Sequence, residues 1–393
     1  MDSDKSQLTD ESRITDAQRN PELGPRILFF TGGTAMRGLS HQLKRYTHNS
    51  IHLITPFDSG GSSAKLRAAF NMLSVGDIRN RLVALADDTL VGAAQIYDLF
   101  SYRFGHDSES AARYQALRSL ADGSHTLAAA APKSIQKIIG DYIQYFCDRM
   151  PEGFDLRGAS IGNLLLAGGY LQNGRDLATV LAVVSAEIKV LGNVSPITEA
   201  SLHLLAELED GTKLIGQDRI TGKEHPPITS AICNLSLVDS VSQPIDATVE
   251  VSDQARELIG SAELICFPMG SFWTSVIANL LPEGVGQAIV GARCPKLYIP
   301  NVSNDPEQLG LKIHDCVQIL HRKVCEDAGE TVPLSKVLDL VLVDSKNADY
   351  ANRLDIDQLA TLGVRVLDVP LVTEASRPLL DSTHLAQALV SMT

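Results

Sequence analysis

The sequence predicts an α/β fold: a Rossmann-like three-layer arrangement with a mostly parallel sheet, an inserted helical subdomain and antiparallel strands at the sheet edge. Three observations carry that expectation. Short apolar runs recur from Arg26 onward, each followed by a glycine-rich turn and then by residues at helical spacing, the rhythm of strands joined by crossover helices. The first two of these turns are both rich in glycine and hydroxyls. Finally, 44% hydrophobic and 21% charged residues in 393 suffice for a large buried core.

Taken in order, residues 1–24 are polar and are expected to form a disordered tail, with 25–393 as one α/β domain. The run Arg26–Phe30 reads as a strand, followed by Gly32, Gly33 and Thr34 and a helix over Ala35–Tyr46, with Met36, Leu39 and Leu43 on one face. A second strand, Ile51–Thr55, leads to Asp58, Ser59, Gly60, Gly61, Ser62 and Ser63, with Arg67 one helical turn further on. Gly76, Asp77, Ile78, Arg79 and Asn80 then run into a helical stretch. Residues 93–150 read as almost wholly helical and are expected to be an insertion. Strand-like runs at Ala200–Leu208 and Ile228–Val238 suggest an antiparallel addition to the sheet edge. The α/β rhythm resumes at Ala262–Phe267, with Gly270 and Ser271 ahead of a helix through Val276–Leu280. Further strands are expected at Lys296–Ile299, Leu338–Val343 and Val364–Val369.

The net charge of −13 argues against broad binding to nucleic acid or anionic membranes. A phosphate ligand would need local amides, arginines or a metal. No stretch approaches the length and apolarity of a membrane span, and the N-terminus has no signal-peptide core. Six cysteines without a C-x-x-C pair fit free thiols in a reducing cytoplasm. Gly33 and Gly38 have the spacing of a Walker loop, but Leu39 and Ser40 stand where lysine and serine or threonine are required.

A strand that runs through glycines into a helix points main-chain amides outward, where they and the helix dipole suit a phosphate. Gly32, Gly33 and Thr34 are assigned that role. Asp58 is read either as a Mg²⁺ ligand bridging to a diphosphate or as the cap of the next helix. Ser62 and Ser63 could serve either way, and Arg67 either forks onto phosphate or makes a surface ion pair. Asp77 is the candidate general base or second metal ligand, with Arg79 and Asn80 orienting donor or acceptor. The alternative is a helix start at Gly76 with Arg79 in solvent. Asn163, after Gly162, is assigned to a base or sugar, or to satisfying main chain. Gly270 and Ser271 would hold a second phosphate or the nucleoside, and Asn301 the ribose or base. Trp273 is expected to be a core residue before a stacking platform.

These segments, together with Phe104, Pro196–Thr198, Gly162–Leu164 and Gly270–Ile277, resemble the CofD/YvcK superfamily from about Arg26 to Met392. The resemblance implies one of two activities. One is a transferase that moves a phosphorylated group, of 2-phospholactyl type, from a nucleotide-diphosphate-linked donor (GDP- or UDP-type) to a small acceptor hydroxyl with Mg²⁺. The transferase is the first reading; the alternative is a regulator of carbon and cell-wall metabolism that binds a nucleotide sugar without turnover. The apolar elements between Ala262 and Ile299 could serve a homodimer interface, and the free thiols point to a cytoplasmic protein. Ala35, Ser59, Ala64, Ala159, Met269 and Pro300 depart from the usual motifs and place the chain on a divergent branch.

Overall fold

The computed structural model describes residues 10–222, 225–329, 331–350 and 353–393. Its strands are β1 (Ile27–Thr31), β2 (Ile51–Ile54), β3 (Asn193–Pro196), β4 (His203–Leu208), β5 (Lys213–Ile215), β6 (Ile232–Val238), β7 (Leu264–Phe267), β8 (Lys296–Tyr298), β9 (Leu340–Val343) and β10 (Arg365–Asp368). Seven form one sheet in the order β10-β9-β8-β7-β1-β2-β3, and every neighbouring pair is parallel. All five residues of β1 are buried, as expected of a parallel strand covered on both faces. One face (Ile27, Phe29, Leu264, Cys266, Leu297) packs on Met36, Leu39 and Leu43 and on Leu385 and Leu389 of helix Ser382–Ser391. On the other face Phe30 and Phe267 stack at 5.5 Å.

The chain divides into two compact units. The sheet unit runs to Thr55 and takes up Gly192–Thr198 and Leu202–Thr393; the helical unit is Pro56–Leu191 with Glu199–Ser201. The helical unit is wider than the insertion expected over 93–150. It begins at Pro56 because helices Gly61–Phe70 and Gly76–Leu85 pack with helix Ile161–Gln172. The latter lies tightly on helix Lys133–Arg149: a Cβ on Gly168 would fall 2.0 Å from the Tyr142 carbonyl oxygen. Only glycine permits that approach.

Three expectations need correction. The polar start is not disordered where it is described: Asp10 accepts the amides of Ser12 and Arg13 and caps helix Glu11–Arg19, whose Ile14 and Ala17 pack against the core. Residues 1–9 lie outside the described residues. The antiparallel strands do not extend the main sheet; β5-β4-β6 is a sheet of its own, and the edge beside β2 is taken by β3, which the sequence reading missed. After β7 the backbone is irregular, a π turn at Phe272–Val276 and then a 3₁₀ turn at Ile277–Leu280. The Asn279 amide draws it inward, donating to the carbonyls of Ser275 and Thr31.

Candidate functional site

Within the helical unit, three helix N-termini meet. After Pro56 the chain turns at Asp58, whose Oδ1 accepts the Gly60 amide at 3.1 Å. Gly61 takes φ +48°, a left-handed conformation that favours glycine. Helix Gly61–Phe70 starts there with Gly60 as N-cap and no side chain capping it. Asp58 shapes the turn before the helix and is not its cap.

Ser62 and Ser63 are buried in that first turn. Gly76 opens helix Gly76–Leu85, and Gly162 and Asn163 lie in the first turn of Ile161–Gln172. Neither helix has a side-chain cap. Ser160, in the N-cap position of the second, turns its hydroxyl to the Phe100 carbonyl instead. A methyl group on Gly76 would lie 2.6 Å from Ser63 Oγ, 3.3 Å from Asp58 Oδ2 and 3.6 Å from Asn163 Nδ2. Those contacts put the three helix starts around one point.

A polar chain links them. Arg79 Nε donates to Asn163 Oδ1 at 3.2 Å, and Asn163 Nδ2 donates to Ser62 Oγ at 2.9 Å. Gly162 makes room for it, since a Cβ there would meet Arg79 Cγ at 2.9 Å and the Phe100 carbonyl oxygen at 2.8 Å. Arg79 is buried, not in solvent.

Arg67 and Arg81 are buried as well. Arg67 Nη1 donates to the carbonyls of Phe57 and Asp58, which makes it a brace for the Asp58 turn. Burial pulls both guanidinium groups down to about 10, opposed by Asp58 for Arg67 and by Asp77 for Arg81. Both stay charged near neutrality. Asp77 therefore faces Arg81 one turn along its helix, a pairing that the i, i+4 spacing could have signalled. Asp58, Ser59, Asp77 and Asn80 are half-buried at the margin of the cluster. There the positive ends of three helices and buried Arg79 stand beside the carboxylates of Asp58 and Asp77.

The sheet unit brings together a second set. From β1 the strand sequence runs outward to β2 and β3, then returns to the other side of β1 with β7. The carboxyl ends of β1 and β7 thus flank the point where strand order reverses, the usual ligand crevice of such sheets. Gly32, Gly33 and Thr34 follow β1, becoming more exposed along that order. They precede the helix, which begins only at Arg37, so they present loop amides without a helical first turn. Across from them Gly270, at φ +141°, lets its backbone lie against Ala35 (3.4 Å from a built Cβ).

Asn301 is not turned outward. Its Oδ1 accepts the Gly270 amide at 2.8 Å and its Nδ2 donates to the Gly270 carbonyl at 2.6 Å, so it is a clamp on the loop. Asp305 and Glu307 take the amides of Phe272, Trp273 and Thr274, which leaves Ser271 as the half-buried polar residue at this edge. A phosphate assigned to the start of this segment would compete with two carboxylates. Trp273 is fully buried, a core residue. The sequence reading missed Asn279, Asp305 and Glu307, since none belongs to a glycine turn.

No group of three or more His, Cys, Asp or Glu residues suited to a metal occurs among the described residues, nor is any helix long and apolar enough to cross a membrane.

Relatives of this chain include a protein of Bacillus subtilis named gluconeogenesis factor, 28% identical over 93% of this chain and 97% of its own length. A Nostoc protein named putative gluconeogenesis factor is 29% identical over 89% of this chain, which spans 64% of that relative's length. The crystal structure of a UPF0052-family protein from Bacillus halodurans superposes with a TM-score of 0.67 at 25% identity, covering 93% of this chain and 99% of the other. The family described as 2-phospho-L-lactate transferase CofD matches residues 27–372, and the chain belongs to that family.

Proposed function

We propose that this protein binds a small molecule linked to a nucleoside diphosphate, of GDP or UDP type, and acts as a ligand-responsive regulator. The observation that carries the reading is the meeting of three uncapped helix N-termini with buried Arg79 around Gly76. Converging amides and dipoles favour a compact anion, and the guanidinium adds a fixed charge. The relatives named gluconeogenesis factor support a place in the control of gluconeogenesis.

Asp58 and Asp77 favour a second reading, transfer of a phosphorylated group to an acceptor hydroxyl. Asp58 has one carboxylate oxygen on Gly60 and the other facing the cluster. That fits a Mg²⁺ held by one protein carboxylate and the ligand's own phosphate oxygens. Such an ion would neutralise diphosphate charge and stabilise a leaving nucleotide. Asp77 would take the acceptor's proton while Arg79 orients the phosphate.

Thermal stabilisation by GDP, UDP, UDP-N-acetylglucosamine, GTP and ATP, with and without Mg²⁺, tests both readings, because a ligand of the folded state raises stability by mass action. A shift with UDP-N-acetylglucosamine indifferent to Mg²⁺ supports the regulator. A Mg²⁺-dependent shift with GDP, lost in Asp58→Ala, supports the transferase. No shift with any of them refutes the site.

A further inference from the structure

The segment after β7 is held by side chains that lie beyond β8. Asn301 brackets the Gly270 peptide, Asp305 Oδ2 accepts the Phe272 amide at 2.9 Å, and Glu307 Oε2 accepts the amides of Trp273 and Thr274, both at 2.9 Å. Glu307 Oε1 accepts the Thr274 hydroxyl at 2.6 Å. Arg353 secures the far side, donating to the Asn301 carbonyl at 2.7 Å and to Gln308 Oε1 at 2.6 Å. Glu307 is 1% exposed, and a carboxyl group is taken out of water at a cost that its hydrogen bonds must offset. Trp273 is the chain's single tryptophan. Its indole N–H has no partner among the described residues, so its polar restraint comes through the main chain, from Glu307.

We propose that Glu307 is a positioning residue for the ligand crevice of the sheet unit: it fixes the Trp273–Thr274 backbone so that the Gly270–Ser271 turn is held against Ala35, in the loop that follows Gly32 and Gly33. This rests on the reading of that crevice as a nucleotide-binding position. The bond pattern does the work, and the charge is dispensable. Oε2 only accepts, whereas the partner of Oε1 is a hydroxyl that can donate or accept. In Glu307→Gln the amide oxygen can take both N–H groups and the NH₂ can donate to Thr274 Oγ1. In Glu307→Ala all three bonds are lost and two buried amides are left unpaired.

The test uses the full chain, with Trp273 emission and titration by UDP and GDP as its two readouts. Glu307→Ala is expected to move the emission to longer wavelength and to weaken binding of whichever nucleotide the wild type takes by about tenfold or more. Glu307→Gln is expected to restore both. Unchanged emission in Glu307→Ala overturns the proposal, as does changed emission with unchanged affinity, which would make the clamp purely architectural. Equal damage in Glu307→Gln overturns it too, because charge would then be the cause. If Glu307→Ala does not fold, Thr274→Val removes one bond at nearly constant shape; it should shift both readouts in the same direction, and no shift refutes the proposal. A wild type that binds neither nucleotide defeats the ligand reading separately, and the emission series then decides whether Glu307 sets the loop.

Discussion

Gly76→Ala should separate binding from stability in the helical unit. The added methyl group would lie 2.6 Å from Ser63 Oγ, so the hydroxyl must leave its place. Forcing a side chain off its rotamer costs about 0.5–1.5 kcal/mol. Replacing a helical glycine by alanine returns about 0.5–1 kcal/mol. The two nearly cancel, and the melting temperature should stay close to that of the wild type. Affinity has no such compensation. The methyl would also sit 3.3 Å from Asp58 Oδ2 and 3.6 Å from Asn163 Nδ2, at the point where the helix starts meet. A lost hydrogen bond to a charged group is worth about 1.5–3 kcal/mol, or roughly 10- to 150-fold in affinity. Calorimetric titration with UDP and GDP, with and without Mg²⁺, beside a thermal melt, measures both quantities. A Gly76→Ala protein that binds as tightly as the wild type refutes the anion site. One that is destabilised by several kcal/mol would show that Gly76 serves packing.

Further outcomes follow from the same geometry. Gly162→Ala drives a Cβ to 2.8 Å from the Phe100 carbonyl oxygen, which cannot rotate away, so denaturant titration should show a loss of about 1–3 kcal/mol. Gly61→Ala, at φ +48° in open space, should cost about 1–2 kcal/mol from backbone strain alone; an unchanged denaturation midpoint would contradict it. Arg79→Lys should weaken nucleotide binding about tenfold or more in calorimetry, because lysine has no planar fork to serve Asn163 and a phosphate together. Burial, and then neighbouring Asp305, raises Glu307 from 4.5 to about 7, against the pull of its three hydrogen bonds. The folded state then binds the proton more tightly than the unfolded one, so this group's contribution to stability falls as pH rises from about 4.5 to 7 and is flat above. The total is on the order of 3 kcal/mol, and denaturation midpoints across that range should show the slope in the wild type and lose it in Glu307→Gln.

The sheet and its glycine turns were readable because parallel strands buried on both faces appear as uninterrupted apolar runs: Ile27–Thr31 and Leu264–Phe267 are such runs. β3 escaped notice because Asn193–Pro196 holds one large apolar residue and ends in proline, which suits a sheet edge and reads as a loop. Of the site, sequence named Asp58, Ser62, Ser63, Arg79, Gly162 and Asn163, and these do come together. Glu307 and Asn279 stayed hidden for a different reason. Each acts on main chain remote in sequence, Glu307 on Trp273 and Asn279 on Thr31, and such pairings leave no periodicity or spacing to find.

The segment after Gly270 and the helix starts around Gly76 differ in what the fold does with their amides. At Gly270–Thr274 the protein supplies its own acceptors, Asn301, Asp305 and Glu307. Their carboxylates repel a further anion, so this turn suits an uncharged, hydroxyl- or amide-bearing portion of a ligand. Around Gly76 the helices start without side-chain caps, at Gly60, at Val75 and at Ser160, whose hydroxyl goes to Phe100, while Ser74 Oγ takes the Gly76 amide and Asp58 Oδ1 the Gly60 amide. Asp10, Asp176, Ser252, Asp355 and Asp381 each accept amides of the helix they precede, whereas the helices beginning at Arg37, Ala93, Ser110 and Lys133 also lack a side-chain cap. Uncapped starts at the surface are served by water. What sets the three around Gly76 apart is their convergence on buried serines, an asparagine and an arginine, an arrangement that an incoming anion would engage together.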